Sequence, residues 1–370
     1  MVVLVNFIAL RGDGCRYALE MTMGLAQNGI QVIAVISSNM ENIQNWRECK
    51  SITCYEVNGY TNINNFIPRL LHFLLIDMRQ IRKIKKDAQI GYVYVPIQTF
   101  WTVFMEALLG KHRLIYTMHD PIPHKSFQIM NLSNNYCAKK ARILVLLSKR
   151  FNNYVEDKFC PKRVVNLCLG SQAYYTKKAL KNRKVVEYDS QKINLVFHGI
   201  INEYKGLHVL AEAYKKITMV HEDVTLSIIG SGDFKPYEEE FANLPNVTVV
   251  NRWLLDEEVA GVYKGENIIA VLPYLTATQS GVVTLAMQSE VPIIATDCGG
   301  LSEQIVDGET GYLVPPGNVD ALYEKILYVI DHPEQCRRIS KNARLYIESI
   351  DSTGQARILL DALLEDQYEE

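Results

Sequence analysis

The sequence predicts an α/β protein made of two doubly wound, parallel-sheet (Rossmann-like) domains. Three observations carry that prediction. Short apolar runs of strand length alternate with segments of helical period along the whole chain. The runs are continuously apolar, as in strands covered on both faces, and do not alternate. Most of them end in a glycine, proline or small polar turn that leads into a helix, which is the punctuation of βαβ units. At 370 residues the chain exceeds one typical core and suits two.

Composition narrows the class. Hydrophobic residues make up 48% and charged ones 22%, as in ordinary soluble globular proteins. No apolar run reaches the roughly 20 residues that a bilayer-spanning helix needs. The apolar start, Val2 to Leu10, lacks a basic leader and a cleavage site, so it reads as a first strand. The eight cysteines form no C-x-x-C pair and no zinc spacing, which predicts free thiols in a reducing compartment and so a cytoplasmic location. The net charge of −2 hides a split: residues 1–170 hold 21 Lys and Arg against 11 Asp and Glu, and the remainder 18 against 30. A basic first domain faces something anionic, whether a membrane surface, a phosphorylated lipid or nucleic acid.

In order, Val2 to Leu10 is a strand broken by Arg11-Gly12-Asp13-Gly14, Tyr17 to Asn28 a helix closed by Gly29, and Ile30 to Ser37 a second strand. Gly12 and Gly14 do not complete a dinucleotide fingerprint, so the turn is read as one that lets a ligand approach the backbone. Phe66 to Asp87 is a helix with Phe66, Leu70, Phe73, Leu74 and Ile81 on one face. Its end carries Arg79, Arg82, Lys83, Lys85 and Lys86. That basic segment, residues 79–86, is read either as a solvated helix end or as a dock for an anionic membrane, peripheral on its inner face. Gly91 to Val95, Arg113 to Thr117, Ile143 to Leu147 and Val164 to Leu169 are further strands. His119, Asp120 and His124 cluster around Pro121 and Pro123 just past a strand end, where open α/β sheets carry function.

Ser171 to Gln191 is polar and aperiodic and reads as a link. The boundaries expected are therefore a domain over 1–170, a linker over 171–190, a domain over 191–347, and a closing helical segment over 348–370 placed to pack back on the first domain. The second series runs Ile193 to His198, the Gly199–Gly206 loop, a helix over Leu207 to Ile217, Val224 to Ile229, Val247 to Val250, a helix over Asp256 to Tyr263, and Ile268 to Leu272. Pro273 to Val314 follows, with two punctuated turns, Thr278-Gln279-Ser280-Gly281 and Asp297-Cys298-Gly299-Gly300, each opening a helix-like segment. Free N–H groups and the helix dipole make such junctions anion sites. With Gly199, Asn202, Gly230, Lys205, Arg252 and Trp253 they form an inventory that suits a nucleotide diphosphate. Lys205 would be a point charge on phosphate, and the base would lodge at the Arg252-Trp253 turn.

FHGIINEYKGLHVLAEA, SIIGSGDF, NRWLLDEEVAGVYKG and the stretch from Pro273, with the Gly12–Gly14 turn and Thr117-Met118-His119-Asp120-Pro121, resemble retaining glycosyltransferases of the B type, family four, over nearly the whole chain. The resemblance implies two domains facing across a cleft, 1–170 binding acceptor and 191–347 binding donor. It implies transfer of a hexose from a nucleotide diphosphate sugar to a hydroxyl of a growing glycan, in polysaccharide or glycoconjugate synthesis, and the basic first domain points to a lipid-linked acceptor, since lipid diphosphate carriers are anionic. Retention, no metal, no further cofactor and no nucleic-acid partner come with it. By the same resemblance Gly12 and Gly14 lie close to the donor phosphates, and His119 hydrogen-bonds the transferred sugar. Lys205 contacts the diphosphate, and Ser280, Gly281 and Val282 present amides to the distal phosphate.

Two departures stand out. Ala277 and Leu285 occupy the places of a glutamate pair, leaving Gln279 and Ser280, in a Q-S-G pattern, to serve instead. Ile200, Ile201 and Asn202 occupy the region of a phosphate-binding arginine. They motivate an alternative, a degenerate homologue that acts as a binding or scaffolding partner of an active enzyme. A nucleotide-sugar epimerase or phosphorylase is a third reading.

Overall fold

The computed structural model describes residues 1–58, 66–122, 128–171, 187–259 and 261–368. Pro123, His124 and most of the expected linker lie outside these residues. The chain divides into two compact units, Met1–Cys168 with Ser352–Glu370, and Leu169–Asp351.

The first unit is a seven-stranded sheet of β1 (Val2–Phe7), β2 (Gln31–Ser37), β3 (Ile52–Val57), β4 (Tyr92–Val95), β5 (Arg113–Met118), β6 (Ala141–Leu146) and β7 (Arg163–Asn166). The order is β3-β2-β1-β4-β5-β6-β7 and every pairing is parallel. Val3, Leu4 and Val5 are fully buried, as the continuously apolar run requires of a strand covered on both faces. The order reverses between β1 and β4, so the crevice for a ligand opens past their carboxyl ends.

Three features of this unit depart from the sequence reading. β3 escapes the apolar-run criterion because it is an edge strand whose Thr53 is exposed and whose Glu56 is half-buried. The helix over 66–87 is two α-helices, Phe66–His72 and Met78–Asp87, joined by a π turn at Phe73–Asp77. The wider turn keeps Phe73 in the core and buries Asp77, whose carboxylate accepts from Tyr55 Oη at 3.4 Å and lies 3.1 Å from His72 Nδ1. The basic surplus is also smaller than a count over 1–170 suggests. The helix Ser352–Tyr368 belongs to this unit, which then holds 22 Lys and Arg against 16 Asp and Glu.

That helix lies along the helix Asp13–Gln27. Gly24 makes the approach possible, since a Cβ there would stand 2.3 Å from the Ser352 carbonyl oxygen. Its far end is locked by Asp366, fully buried, which accepts from Arg142 Nε at 2.8 Å and Tyr92 Oη at 2.9 Å, with Lys162 Nζ at 3.6 Å. Burial alone would raise this carboxyl, but the hydrogen bonds and the two cations together hold it below its ordinary value.

The second unit is a six-stranded parallel sheet of β8 (Ile193–His198), β9 (Val224–Gly230), β10 (Val247–Asn251), β11 (Ile268–Leu272), β12 (Ile293–Thr296) and β13 (Tyr312–Val314), ordered β10-β9-β8-β11-β12-β13. The order reverses between β8 and β11. Helices Leu207–Thr218, Gly281–Gln288, Val319–Asp331 and Pro333–Ser349 cover it, and residues such as Leu210, Val283, Ile326 and Ile339 join its core. The helix expected over Asp256 to Tyr263 is described only as Asp256–Val259. No described helix is long and apolar enough to cross a membrane.

Candidate functional site

The loops that follow β8 and β11 flank the reversal point of the second sheet, and they are stitched together. Leu275 N–H donates to the Tyr204 carbonyl at 2.8 Å, and Ile201 N–H ties the first of these loops to the turn after β9 at the Ser231 carbonyl, 2.9 Å away. In the first loop Asn202 precedes a 3₁₀ turn, Glu203–Lys205, which carries Lys205 inward until only 8% of it is exposed. Its ammonium sits 3.6 Å from the centroid of the Tyr274 ring, a close cation–π contact. The Tyr274 hydroxyl in turn lies 3.5 Å from Ser280 Oγ, at the N-cap of the helix Gly281–Gln288. A Cβ on Gly199 would stand 3.6 Å from Val282 Cγ2 and 3.8 Å from the Tyr274 hydroxyl. Gly199, Lys205, Ser280 and Val282 thus gather around one tyrosine.

This patch has the chemistry of an anion site. It combines a buried cation, a helix N-terminus whose N-cap side chain makes no capping hydrogen bond, and a glycine that leaves room above them. Asn202 Oδ1 is buried with no hydrogen-bond partner among the described residues, a polar atom poised for a ligand or water. Gln279 lies in the turn just before the helix, half-buried.

Several residues singled out in the sequence have other tasks. The Ser280 amide is already engaged by Gln304, whose Oε1 accepts from it at 2.8 Å and whose Nε2 donates to the Ser280 carbonyl at 3.2 Å. That leaves Gly281 and Val282 as the amides at the helix start. Gly230 serves packing: at φ 154°, a Cβ there would lie 1.8 Å from the Gly199 carbonyl oxygen. The Gly230-Ser231-Gly232 turn is further pinned by Asn251, which accepts from Gly232 N–H at 3.1 Å and donates back at 3.2 Å. Arg252 forks onto Glu258 at 2.9 and 2.7 Å, so its guanidinium shapes the turn bearing half-buried Trp253. Ala277 and Leu285 are both buried in the core.

In the first unit a cavity of about 560 Å³ opens at the reversal point, lined by Ile8 and Arg11 after β1, Ile97 and Thr99 after β4, and His119 and Asp120 after β5. Gly14 lies on its wall, where a Cβ would press to 2.6 Å on Ile97 Cδ1. His119 Nε2–H donates to the Pro96 carbonyl at 2.9 Å, and the ring meets Tyr17 edge-on at 4.8 Å. Burial lowers its affinity for a second proton, although the Pro96 bond and the Asp120 charge oppose the shift. His119 is therefore a neutral imidazole at pH 7, with Nδ1 as its accepting nitrogen. The Gly12 amide, expected near phosphate, is taken by Glu41 Oε1 at 3.0 Å.

Tyr274, Gln304, Asn251, Glu258 and Glu41 were not singled out in the sequence. They lack a local motif; the partners of Glu41, Gln304 and Asn251 stand 29, 24 and 19 residues away, and Tyr274 and Glu258 meet theirs six residues away across a turn that the sequence pattern does not mark.

Residues 179–346 match the family described as Glycosyl transferases group 1. The capsular polysaccharide biosynthesis glycosyltransferase CapM of Staphylococcus aureus is 28% identical over 180 residues, which are 44% of this chain and 46% of CapM. The chain spans about half the length of the curated relatives it matches. Among solved structures, sucrose-phosphate synthase from Thermosynechococcus elongatus shares the fold at TM-score 0.72 and 15% identity, covering 99% of both chains. Anabaena Alr3699/HepE, in complex with UDP and glucose, does so at 0.70 and 15%, covering 98% of this chain and 99% of that one. The second unit of the chain thus resembles the group 1 glycosyl transferases over residues 179–346, and the whole chain has the glycosyltransferase-B fold of two parallel-sheet α/β domains.

Proposed function

We propose that the protein transfers a hexose from a nucleotide diphosphate sugar to a hydroxyl of a lipid-linked glycan, with retention and without a metal ion. The observation that carries this reading is the gathering of Lys205, Gly199, Ser280 and Val282 around Tyr274 at the reversal point of the second sheet. In the transfer the bond from the anomeric carbon to the diphosphate oxygen breaks, and its electron pair leaves with the diphosphate. The acceptor oxygen bonds the same face of that carbon and yields its proton to the departing oxygen. Charge grows on the diphosphate, so a fixed ammonium and helix-start amides favour the transition state over the ground state. They supply what a metal ion would otherwise supply. His119, neutral and hydrogen-bonded at Nε2, offers a partner for a sugar hydroxyl in the pocket of the first unit.

The UDP and glucose held by HepE support a nucleotide sugar donor, and the role named for CapM supports a glycan product. The basic surplus of the first unit supports a lipid-linked, anionic acceptor at a cytoplasmic membrane face. Assays of donor hydrolysis and transfer with a panel of nucleotide sugars, with and without EDTA, test the reading. Turnover of at least one donor, unchanged by EDTA, is expected. No turnover and no nucleotide binding across the panel would remove it.

Burial of both Ala277 and Leu285 favours a second reading, a homologue that binds nucleotide sugar but scaffolds an active partner. Nucleotide binding without turnover of any donor is the result that selects it.

A further inference from the structure

Four of the eighteen exposed large hydrophobic side chains among the described residues fall within ten consecutive positions: Ile67 at 66%, Leu71 at 52%, Leu75 at 57% and Ile76 at 46%. Ile67 and Leu71 sit on the helix Phe66–His72 and Leu75 and Ile76 on the π turn Phe73–Asp77, which leads into the helix Met78–Asp87. Phe73, Met78 and Ile81 face the core on the other side, with Leu70 and Leu74 packed partly against it. The outer row has a four-residue spacing, and it continues past Leu75 as Arg79 and Lys83, with Lys86 close behind, all exposed. One outer row is therefore apolar over its first turns and cationic over its last.

The five basic residues of this segment divide into two sets. Arg82 donates from Nε and Nη2 to the Leu108 carbonyl at 2.8 and 2.6 Å, and Lys85 Nζ donates to the Leu109 carbonyl at 3.2 Å and to that of Lys111. These two hold the helix to its own unit. Arg79, Lys83 and Lys86 stand outside that clamp, in line with the apolar residues.

We propose that this face docks on a bilayer containing acidic lipid. Ile67, Leu71, Leu75 and Ile76 enter the boundary of headgroups and acyl chains, and Arg79, Lys83 and Lys86 lie among the anionic headgroups. An apolar stripe continued by a row of cations is the pattern of an interfacial helix, and the positive charge selects an anionic surface over a neutral one. The clamp by Arg82 and Lys85 presents the row as a rigid edge, so ordering costs little on binding. The inference does not depend on the transferase reading, because it concerns where the protein sits and not what it transfers.

Sedimentation of the full chain with vesicles tests it, comparing phosphatidylcholine alone with phosphatidylcholine containing about a third phosphatidylglycerol. Binding to the acidic vesicles is expected, and it should weaken at high salt, where headgroup attraction is screened. The triple variant Arg79→Gln, Lys83→Gln, Lys86→Gln should lose roughly a hundredfold in partitioning, at about fivefold for each cation near the surface. Leu71→Ser with Leu75→Ser should lose at least about tenfold even at low salt. Both sets are exposed, and circular dichroism with thermal unfolding checks that the variants fold. Nucleotide affinity should be unchanged in both, which separates this test from that of the donor site. Unchanged partitioning in either variant would overturn the proposal. So would self-association of the wild-type chain that disappears in the leucine variant while vesicle binding stays, because the face would then join two copies.

Discussion

The two sheets end in rims that look alike in the sequence and differ in the structure. Each has a glycine-bearing turn opening a helix beside the reversal point of its strand order. In the second unit the turn ahead of Gly281–Gln288 is held by a neutral amide, Gln304, and a lysine ammonium lies one tyrosine ring away. In the first unit the amide of Gly12, at the start of Asp13–Gln27, is held by the Glu41 carboxylate. A carboxylate and a phosphate want the same N–H groups and the same dipole. Two such anions about 4 Å apart repel by about 4 kcal/mol at the effective dielectric of a protein surface. The second rim is set up for an anion, whereas the first already has one. A glycine before a helix is thus no phosphate site by itself; the side chains brought to its amides decide.

The sharpest way to break this comparison is Lys205→Met, which keeps the apolar stem over Tyr274 and removes the charge. A charge-assisted hydrogen bond lost from a diphosphate contributes about 1.5–3 kcal/mol, so calorimetry should show nucleotide affinity falling by about a hundredfold. Wild-type affinity in this variant would mean that the second rim is not the anion site. Gln304→Glu comes next. It is isosteric and still accepts from the Ser280 amide, but it cannot donate to the Ser280 carbonyl and it brings a carboxylate to the turn. The change rebuilds the first rim inside the second. Nucleotide affinity should fall about thirtyfold, more than for Gln304→Ala, which removes the clamp without adding charge. If Gln304→Ala proves the worse of the two, packing and not charge sets the affinity.

This contrast also marks where sequence reading stops. Strand and helix succession was legible because parallel strands covered on both faces must be continuously apolar, as Val3–Val5 and Ile268–Leu272 are. β3 was not, because an edge strand carries polar residues such as Thr53 and Glu56. The π turn at Phe73–Asp77 was not either, since one extra residue in a helix leaves its apolar pattern almost intact. At the site, Lys205 and the turn at Thr278–Gly281 were legible from local chemistry. Gln304, Glu41 and Glu258 were not. Each acts on an amide or guanidinium in another element, and a spacing set by the fold leaves no local motif. The same limit made Gly230 look like a ligand contact when its φ of 154° serves the approach of the Gly199 carbonyl.

The pocket of the first unit gives a smaller and differently shaped effect. His119 loses proton affinity on burial, so its folded value lies below the ordinary 6.5. The neutral ring's contribution is then complete above 6.5 and is lost only as pH falls through the lower folded value. If His119 serves transfer as an uncharged hydrogen-bond partner, kcat/KM should stay flat from pH 8 to about 6.5 and decline only on the acid side of that. His119→Asn, which has no such titration, should lower the plateau by about tenfold and remove this acid limb. A limb at or above 6.5 in the wild type would mean that the imidazole is not buried as described.

Glu41→Gln is the mildest change, and it asks whether the first rim touches donor phosphate at all. The substitution keeps an acceptor for the Gly12 amide and removes the charge facing the helix Asp13–Gln27. Losing an anion at a helix N-terminus costs about 0.3–1 kcal/mol, so thermal unfolding should move down by a few degrees at most. Nucleotide affinity should change by less than about twofold if the donor phosphates bind only at the second rim. A clear gain in affinity would show that Glu41 had been repelling the ligand from a site it shares with Gly12. The resemblance-based placement of Gly12 and Gly14 beside the phosphates would then hold after all. The two rims would differ only in how strongly each resists its anion, and the contrast drawn above would become one of degree.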